Sequence, residues 1–512
     1  MGQIYSPASS AYPPRGNAAI NPAAARPLKY WERWTARGLV VLHALMVAVV
    51  LGVYWAATPQ VTMMVGGVLV TPLFVFFVWI EGKKTFLRVT PVSMYFVWQG
   101  FALGPAAFYA ATQIAAGVPT YVGMHLALPE YLAKGYTIAV LGTLFLHAGL
   151  QWMRPKTNPM DAPDPSARQV RTMLPMLFTL FCVGCFILGF SSSLAFLGIL
   201  SGFFQFGGHA ALLCFTLIPS QRLGVPEFVR TGVLLGGTAL LALVSTQSNS
   251  KFYLMLALLP LSFYVMQRKG LRKHLPAVSV VLLFIYLTVV APAVSGSRLI
   301  RYRDKVPHTQ ALLDAFKLYS PLATGRFDTS FYEEQLETLL RRGFEASSVG
   351  VIAEEVDLKG YIDGETFYQI RYVFIPRLLW PDKPMVVRGA WFTSYLGNSA
   401  RESDSTTSIG MEAAGELYWN FGYSGVVIGM FVLGALFGAL WRMAGANPAM
   451  QPLHMTLYML NALTMMNLPE AASRMASCVL SLVFFGILFS LLRSSSQSGQ
   501  VVFRRAEFAG PA

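Results

Sequence analysis

Long apolar runs alternate with short polar connections along most of the chain. Most of these runs have about 18 to 25 residues, which is enough for a helix to cross a hydrocarbon core of roughly 30 Å. This pattern predicts an all-α polytopic integral membrane protein with about twelve transmembrane helices. The predicted spans are 38–57, 61–80, 91–115, 136–153, 172–190, 194–218, 231–246, 252–266, 277–296, 424–441, 452–468 and 476–492.

The composition agrees with lipid as the main solvent. The 512 residues are 54% hydrophobic and 12% charged, whereas soluble proteins carry roughly 25% charged residues. The formal net charge is +14, but the basic residues lie between apolar runs, where they act first as a topology signal. No nucleic acid is therefore expected as a partner. The four cysteines lie in or beside apolar runs, so no disulfide framework is predicted.

Cations lie at every second connection along the chain. Lys83, Lys84 and Arg88 follow the second run and Arg154 follows the fourth, whereas the connections between them carry few cations. Because Lys and Arg are retained on the cytoplasmic side, this alternation places both chain ends in the cytoplasm. The predicted organisation is a disordered basic tail at 1–37, nine spans at 38–296, a large outer loop at 297–423, three spans at 424–492 and a second tail at 493–512.

The outer loop between the ninth and tenth spans has sorted charges. Residues 309–345 carry an amphipathic helical pattern, and acidic residues precede basic ones along the loop. A run of cations predicts an anion site, because Arg can hold phosphate oxygens through two parallel N–H bonds. A solvated basic face is the alternative that the charge pattern leaves open.

Two motifs near the end of this loop carry a family resemblance. IPRLLWPDKP at 375–384 interleaves cations with large apolar residues, and GELYWNFGYSG at 415–425 leads directly into an apolar run. Together they resemble the Wzy-type oligosaccharide repeat unit polymerases, the integral membrane enzymes that assemble O antigens and exopolysaccharides. The resemblance is specific from Arg371 to the tenth span and is limited to architecture elsewhere.

The resemblance implies a glycosyltransferase of the bacterial inner membrane that works on the periplasmic face. It would move a growing glycan from undecaprenyl pyrophosphate to the next lipid-linked repeat unit, with no nucleotide, cofactor or metal. The implied partners are the undecaprenyl-pyrophosphate-linked oligosaccharide and membrane lipid, together with a chain-length regulator and a flippase.

Cations and carboxylates of the loop form the candidate site. For proton transfer we expect Glu412 and Glu416, because their spacing places both carboxylates on one helix face, where each raises the pKa of the other. A structural ion pair is the alternative for a single Glu. The residues expected to bind the pyrophosphate are Arg371, Arg377, Lys383 and Arg388.

Other functions fit part of the pattern. An O-antigen ligase would use the same lipid donor with a different acceptor, and a scaffold of an export complex would need the same architecture. A metal-dependent glycosyltransferase is disfavoured, because the first outer loop is only Thr58-Pro59-Gln60 and has no carboxylate to hold a cation. A polysaccharide or lipid transporter would be expected to show an internal repeat, and the halves of this chain show none.

We predict that Arg377→Ala stops polymer growth. Loss of a charge-assisted contact that strengthens in the transition state should lower the rate about a hundredfold or more. Arg377→Lys should also be impaired, because it loses the two-pronged geometry. Gel analysis of surface glycans should then show single repeat units. Full-length polymer from both Arg377→Ala and Lys383→Ala, each at wild-type abundance, would contradict this assignment.

Overall fold

The computed structural model describes the chain from residue 30 to residue 492 with gaps. The described residues are 30–83, 90–122, 124–155, 166–190, 206–218, 220–247, 251–267, 275–325, 329–372, 375, 380, 389–397, 409–446, 451–462, 471–472 and 475–492. The predictions for residues 1–29 of the first tail, for the second tail, for Arg377, Lys383 and Arg388, and for most of IPRLLWPDKP lie outside these residues. Residues 30–37, which were predicted as the end of the disordered tail, are helical.

Helices form nearly all of this part of the chain. The first six are α1 Tyr30–Ala56, α2 Pro59–Lys83, α3 Pro91–Leu103, α4 Pro105–Ala115, α5 Pro129–Met153 and α6 Ala167–Gly189. They are followed by α7 Gly207–Leu217, α8 Ser220–Leu223, α9 Glu227–Gln247, α10 Lys251–Ala257, α11 Leu259–Gln267, α12 Leu275–Ile285, the π-helical turn Tyr286–Val290 and α13 Ala291–Asp304.

The remaining helices include those of the large predicted loop. They are α14 His308–Tyr319, α15 Pro321–Thr324, α16 Thr329–Gly343, α17 Ala346–Lys359, the 3-10 helix Glu365–Tyr372, α18 Gly389–Tyr395, α19 Ala413–Gly445, α20 Gln451–Ala462 and α21 Met475–Leu492. One antiparallel hairpin pairs β1 Thr120–Val122 with β2 His125–Ala127, with Tyr121 opposite Leu126.

By length and composition, seven of the described helices could cross a membrane. These segments are Arg37–Ala56, Pro59–Glu81, Gln169–Gly189, Glu227–Thr246, Leu283–Arg301, Ala413–Gly445 and Met475–Leu492. The chain is thus all-α, with the helices of a polytopic membrane protein. The count of about twelve spans and the sidedness of the loop stay predictions.

Several predicted helices are interrupted. The predicted span 91–115 is two helices, because Gly104 has φ −99 and ψ −100 and Pro105 has no N–H to continue the helical bonds. The amphipathic helical pattern predicted over 309–345 corresponds to three helices. It breaks before Pro321 and again at Gly325, which ends α15 with φ 69.

A sharp kink divides α19. Gly422 has φ 64 and ψ −154, a backbone conformation that is essentially restricted to glycine. The chain folds back there, so that a Cβ at Gly425 would lie 2.6 Å from the Leu417 carbonyl oxygen. The predicted span 424–441 corresponds to the part of α19 that follows the kink.

α5 is the central helix of the fold, and glycines along it allow close packing. A Cβ at Gly135 would overlap the backbone of Gly350 in α17, and a Cβ at Gly149 would overlap the Phe431 carbonyl in α19. Between them, a Cβ at Gly142 would lie 2.8 Å from the Ala414 Cβ. Small residues at such crossings let helix backbones approach closely.

Polar side chains of α5 are also buried. His147 Nδ1 lies 3.3 Å from His43 Nδ1 of α1, and His43 Nε2 lies 3.3 Å from the Thr143 hydroxyl. Gln151 continues this chain, with its Nε2 3.2 Å from His147 Nε2. These hydrogen bonds satisfy the polar groups inside the bundle. α5 can therefore be buried although one of its faces is polar.

We predict that Gly135→Ala separates α17 from α5. Because the added methyl group meets backbone rather than a movable side chain, the substitution should lower stability by about 1 to 3 kcal/mol or more. Thermal unfolding of the purified protein in detergent measures this loss. Gly236→Ala is the matched control, since a Cβ at Gly236 in α9 meets nothing within 4 Å. Equal unfolding midpoints for the two variants would contradict this packing.

Candidate functional site

Two turns of the large predicted loop meet inside the bundle. The first joins α16 to α17, and the second leads into α19. A Cβ at Gly343, before the first turn, would overlap the Phe101 ring of α3. After the second turn, Ala414 lies against Gly142, in the middle of α5. The two turns therefore return the loop to the helices that come before it in sequence.

A pair of carboxyl groups lies where these turns meet. Glu345 immediately precedes α17 and Glu412 immediately precedes α19. The two carboxyl groups are close enough for the charge of each to affect the protonation of the other. The Trp98 indole N–H donates a hydrogen bond to Glu345 Oε1 at 3.0 Å. Both carboxyl groups are only partly exposed, and both stand at helix N-termini, where the helix dipole favours negative charge.

This environment makes the pair hold a proton. Burial raises the pKa of Glu412 well above its usual range, and the charge of Glu345 raises it further. Burial also raises the pKa of Glu345, and the hydrogen bond from Trp98 opposes only part of that shift. The two carboxyl groups therefore titrate together and keep one shared proton above the usual pH range of a Glu, as expected when two carboxyl groups share one site.

The predicted pairing of Glu412 with Glu416 on one helix face is wrong. Glu412 has φ 55 and ψ 147 and lies before the first residue of α19, so its side chain does not continue the helical face. Glu416 lies fully buried in the first turn. Its backbone carbonyl accepts a hydrogen bond from Asn420 Nδ2 at 2.7 Å, and the same nitrogen lies 2.7 Å from the Thr366 hydroxyl.

The predicted cations are only partly located. Arg371 is exposed at the end of the 3-10 helix, with its guanidinium carbon 3.0 Å from the centroid of the Tyr368 ring and 4.7 Å from that of Tyr372. Arg342, three residues before Glu345, is near enough to Arg298 for their charges to interact. The structure thus adds an arginine from α16 to the cations considered for the pyrophosphate.

Glu345 is the site residue that the sequence patterns did not single out. It belongs to the acidic part of the loop, where Glu333, Glu334 and Glu337 are exposed. Its distinguishing signal is the sequence that follows, since α17 begins with small and apolar residues and is buried over most of its length. A carboxylate directly before such a helix is placed at the helix N-terminus, inside the protein.

Neither a metal-binding cluster in the described residues nor a matching relative indicates the chemistry. Within the described residues, no group of three or more His, Cys, Asp or Glu side chains is placed to hold a metal ion. Comparisons with family models, curated proteins and solved structures find no match to this chain.

We predict that the carboxyl pair makes stability depend on pH. The folded protein keeps a proton that an unfolded Glu releases above pH about 4.3. Stability should therefore fall as pH rises from that value toward the raised pKa of Glu412, by up to about 1.4 kcal/mol per pH unit. Glu412→Gln removes this titration and should flatten the dependence of the unfolding midpoint on pH.

The matched control is Glu334→Gln, on the exposed face of α16. It should keep the wild-type slope. If Glu412→Gln and wild type lose stability equally over this pH range, the pair does not hold a proton.

Proposed function

We propose that this chain polymerises oligosaccharide repeat units carried on undecaprenyl pyrophosphate. In this proposal it is an inner-membrane protein with about twelve spans, both ends in the cytoplasm and the loop 297–423 in the periplasm. The surface polysaccharide that it makes is an exopolysaccharide or an O antigen. The observation that carries the proposal is the Glu345–Glu412 pair beside the motif GELYWNFGYSG.

The geometry of this motif supports the assignment. Its first residues form the short helix that starts next to Glu412, and its Gly422 makes the kink of α19. The Trp419 carbonyl accepts a hydrogen bond from the Ile362 N–H at 3.1 Å. The motif thus connects the large loop to the bundle and orients the helix that begins at the carboxyl pair.

The pair supplies the proton transfer that such a reaction needs. The acceptor sugar attacks the anomeric carbon of the donor through a hydroxyl group, whose proton passes to the ionised carboxylate of the pair. The bond between that carbon and the pyrophosphate oxygen breaks, and the pyrophosphate leaves with the electron pair. General base catalysis of this kind contributes typically about 10² to 10⁴ in rate.

In this proposal, cations stabilise the leaving pyrophosphate. Negative charge develops on the pyrophosphate as the bond breaks, and arginines placed at that point stabilise it more strongly than they stabilise the bound donor. Arg377, Lys383 and Arg388 remain the candidates from the sequence, together with Arg371. Arg342 lies three residues before Glu345, and Arg298 is near enough to Arg342 for their charges to interact.

Substitution of the pair tests the proposal in cells. Cells that lack the protein should accumulate single lipid-linked repeat units, and the wild-type gene should restore long polymer. Glu345→Gln and Glu412→Gln should each lower polymerisation in isolated membranes about a hundredfold or more. Glu334→Gln, which changes an exposed carboxylate on α16, should retain full activity.

Two results would overturn the proposal. Normal polymer length in cells without the protein would exclude a polymerase. Accumulation of finished polymer on its lipid carrier would instead indicate a ligase. Full activity of both Gln variants, at wild-type abundance, would leave the polymerase but remove the carboxyl pair from its mechanism.

A further inference from the structure

An aromatic platform lies on α18, beside the helices that start at the carboxyl pair. We define it as Trp391, Tyr395 and Trp419. The Trp391 and Tyr395 rings are stacked, with centroids 5.5 Å apart and an interplanar angle of 28°. Trp419 of α19 lies behind them, 5.9 Å from Trp391 and 5.4 Å from Tyr395. Trp419 is buried, whereas Tyr395 is 38% exposed, so the platform has one face toward the outside.

Charged groups of α17 border this platform. The Tyr395 hydroxyl donates a hydrogen bond to Glu355 Oε2, and Lys359 Nζ lies 2.7 Å from the same carboxylate and donates to the hydroxyl at 3.1 Å. Burial raises the pKa of Glu355, but the hydrogen bonds from Lys359 and Tyr395 outweigh it, so the pKa is lowered overall. The border therefore presents an ammonium group and a phenol, and a mostly buried, ionised carboxylate holds both in place.

This combination matches the chemistry of a sugar ring. A pyranose has an apolar face of C–H groups that stacks on an aromatic ring and an edge of hydroxyl groups that bind charged acceptors and donors. Binding sites for small molecules usually combine apolar or aromatic walls with a few such polar groups. We propose that the platform binds a sugar ring of the acceptor glycan, an inference that rests on the proposed polymerase function.

The position of the platform fits an acceptor that reaches the carboxyl pair. Glu355 follows Glu345 by ten residues along α17, and Trp419 follows Glu412 by seven along α19. At 1.5 Å per helical residue, these separations are about 15 Å and about 10 Å. A short oligosaccharide spans such a distance. One sugar can rest on the platform while the reacting hydroxyl lies at the pair.

Binding of glycan fragments tests this inference. The probe is the mixture of oligosaccharides released by partial acid hydrolysis of the surface polysaccharide of the native cells. The full-length protein in lipid nanodiscs should bind these fragments in saturation-transfer NMR and calorimetry. Trp391→Ala should weaken binding at least about tenfold, because the stacking surface is lost.

Three further variants distinguish a loss of aromatic stacking from a loss of folding as the cause of weaker binding. Trp391→Phe keeps an aromatic ring and should retain most of the affinity. Lys359→Ala changes an exposed side chain, 63% accessible, and should weaken binding. Because it also removes the ion pair with Glu355, its unfolding midpoint is measured alongside. Trp152→Ala is the matched control, since Trp152 of α5 is exposed and lies 5.5 Å from another aromatic ring, Phe431. It should bind like wild type.

The outcomes distinguish this inference from the proposed function. Glu412→Gln should bind the fragments normally while it fails to polymerise. Unchanged binding by both Trp391→Ala and Lys359→Ala, or no binding by the wild type, would overturn the platform even if polymerisation is confirmed. Normal polymer length without the protein would overturn the function, whether or not fragments bind.

Discussion

The candidate site depends on close backbone packing along α5. Gly135, Gly142 and Gly149 follow one another at seven-residue spacing, and a side chain at any of them would collide with α17 or α19. Because of this packing, two segments far apart in sequence can both begin against the same helix. Glu345 and Glu412 stand at the first residues of those segments, and their contact is a consequence of the packing of the helices that follow them.

The same arrangement connects the carboxyl pair with the aromatic platform. α17 and the first part of α19 start at a protonated carboxyl pair and continue to a partly exposed aromatic surface with charged neighbours. Gly422 ends the second of these short helices by reversing the chain. The family-like motif therefore has a structural explanation, because it contains both the helix that starts at the pair and the glycine that turns the chain back.

Local sequence patterns predicted the helices better than their contacts. Apolar length identified α1, α2, α6 and α9 closely, because a span needs a minimum number of apolar residues. The breaks at Gly104 and Gly422 were missed, because they depend on tertiary contacts and on single backbone conformations. The pairing of Glu412 with Glu345 could not be predicted either, because the two positions are 67 residues apart and no local periodicity relates them.

The most direct test of this account is whether Glu345 and Glu412 are neighbours in the native membrane. In a chain whose four cysteines are replaced, Glu345→Cys together with Glu412→Cys should form an intramolecular cross-link on mild oxidation, detected by mass spectrometry. The pair Glu334→Cys and Glu412→Cys should not, because Glu334 is exposed on α16. Absence of the first cross-link, or equal yields for both pairs, would contradict the shared carboxyl site.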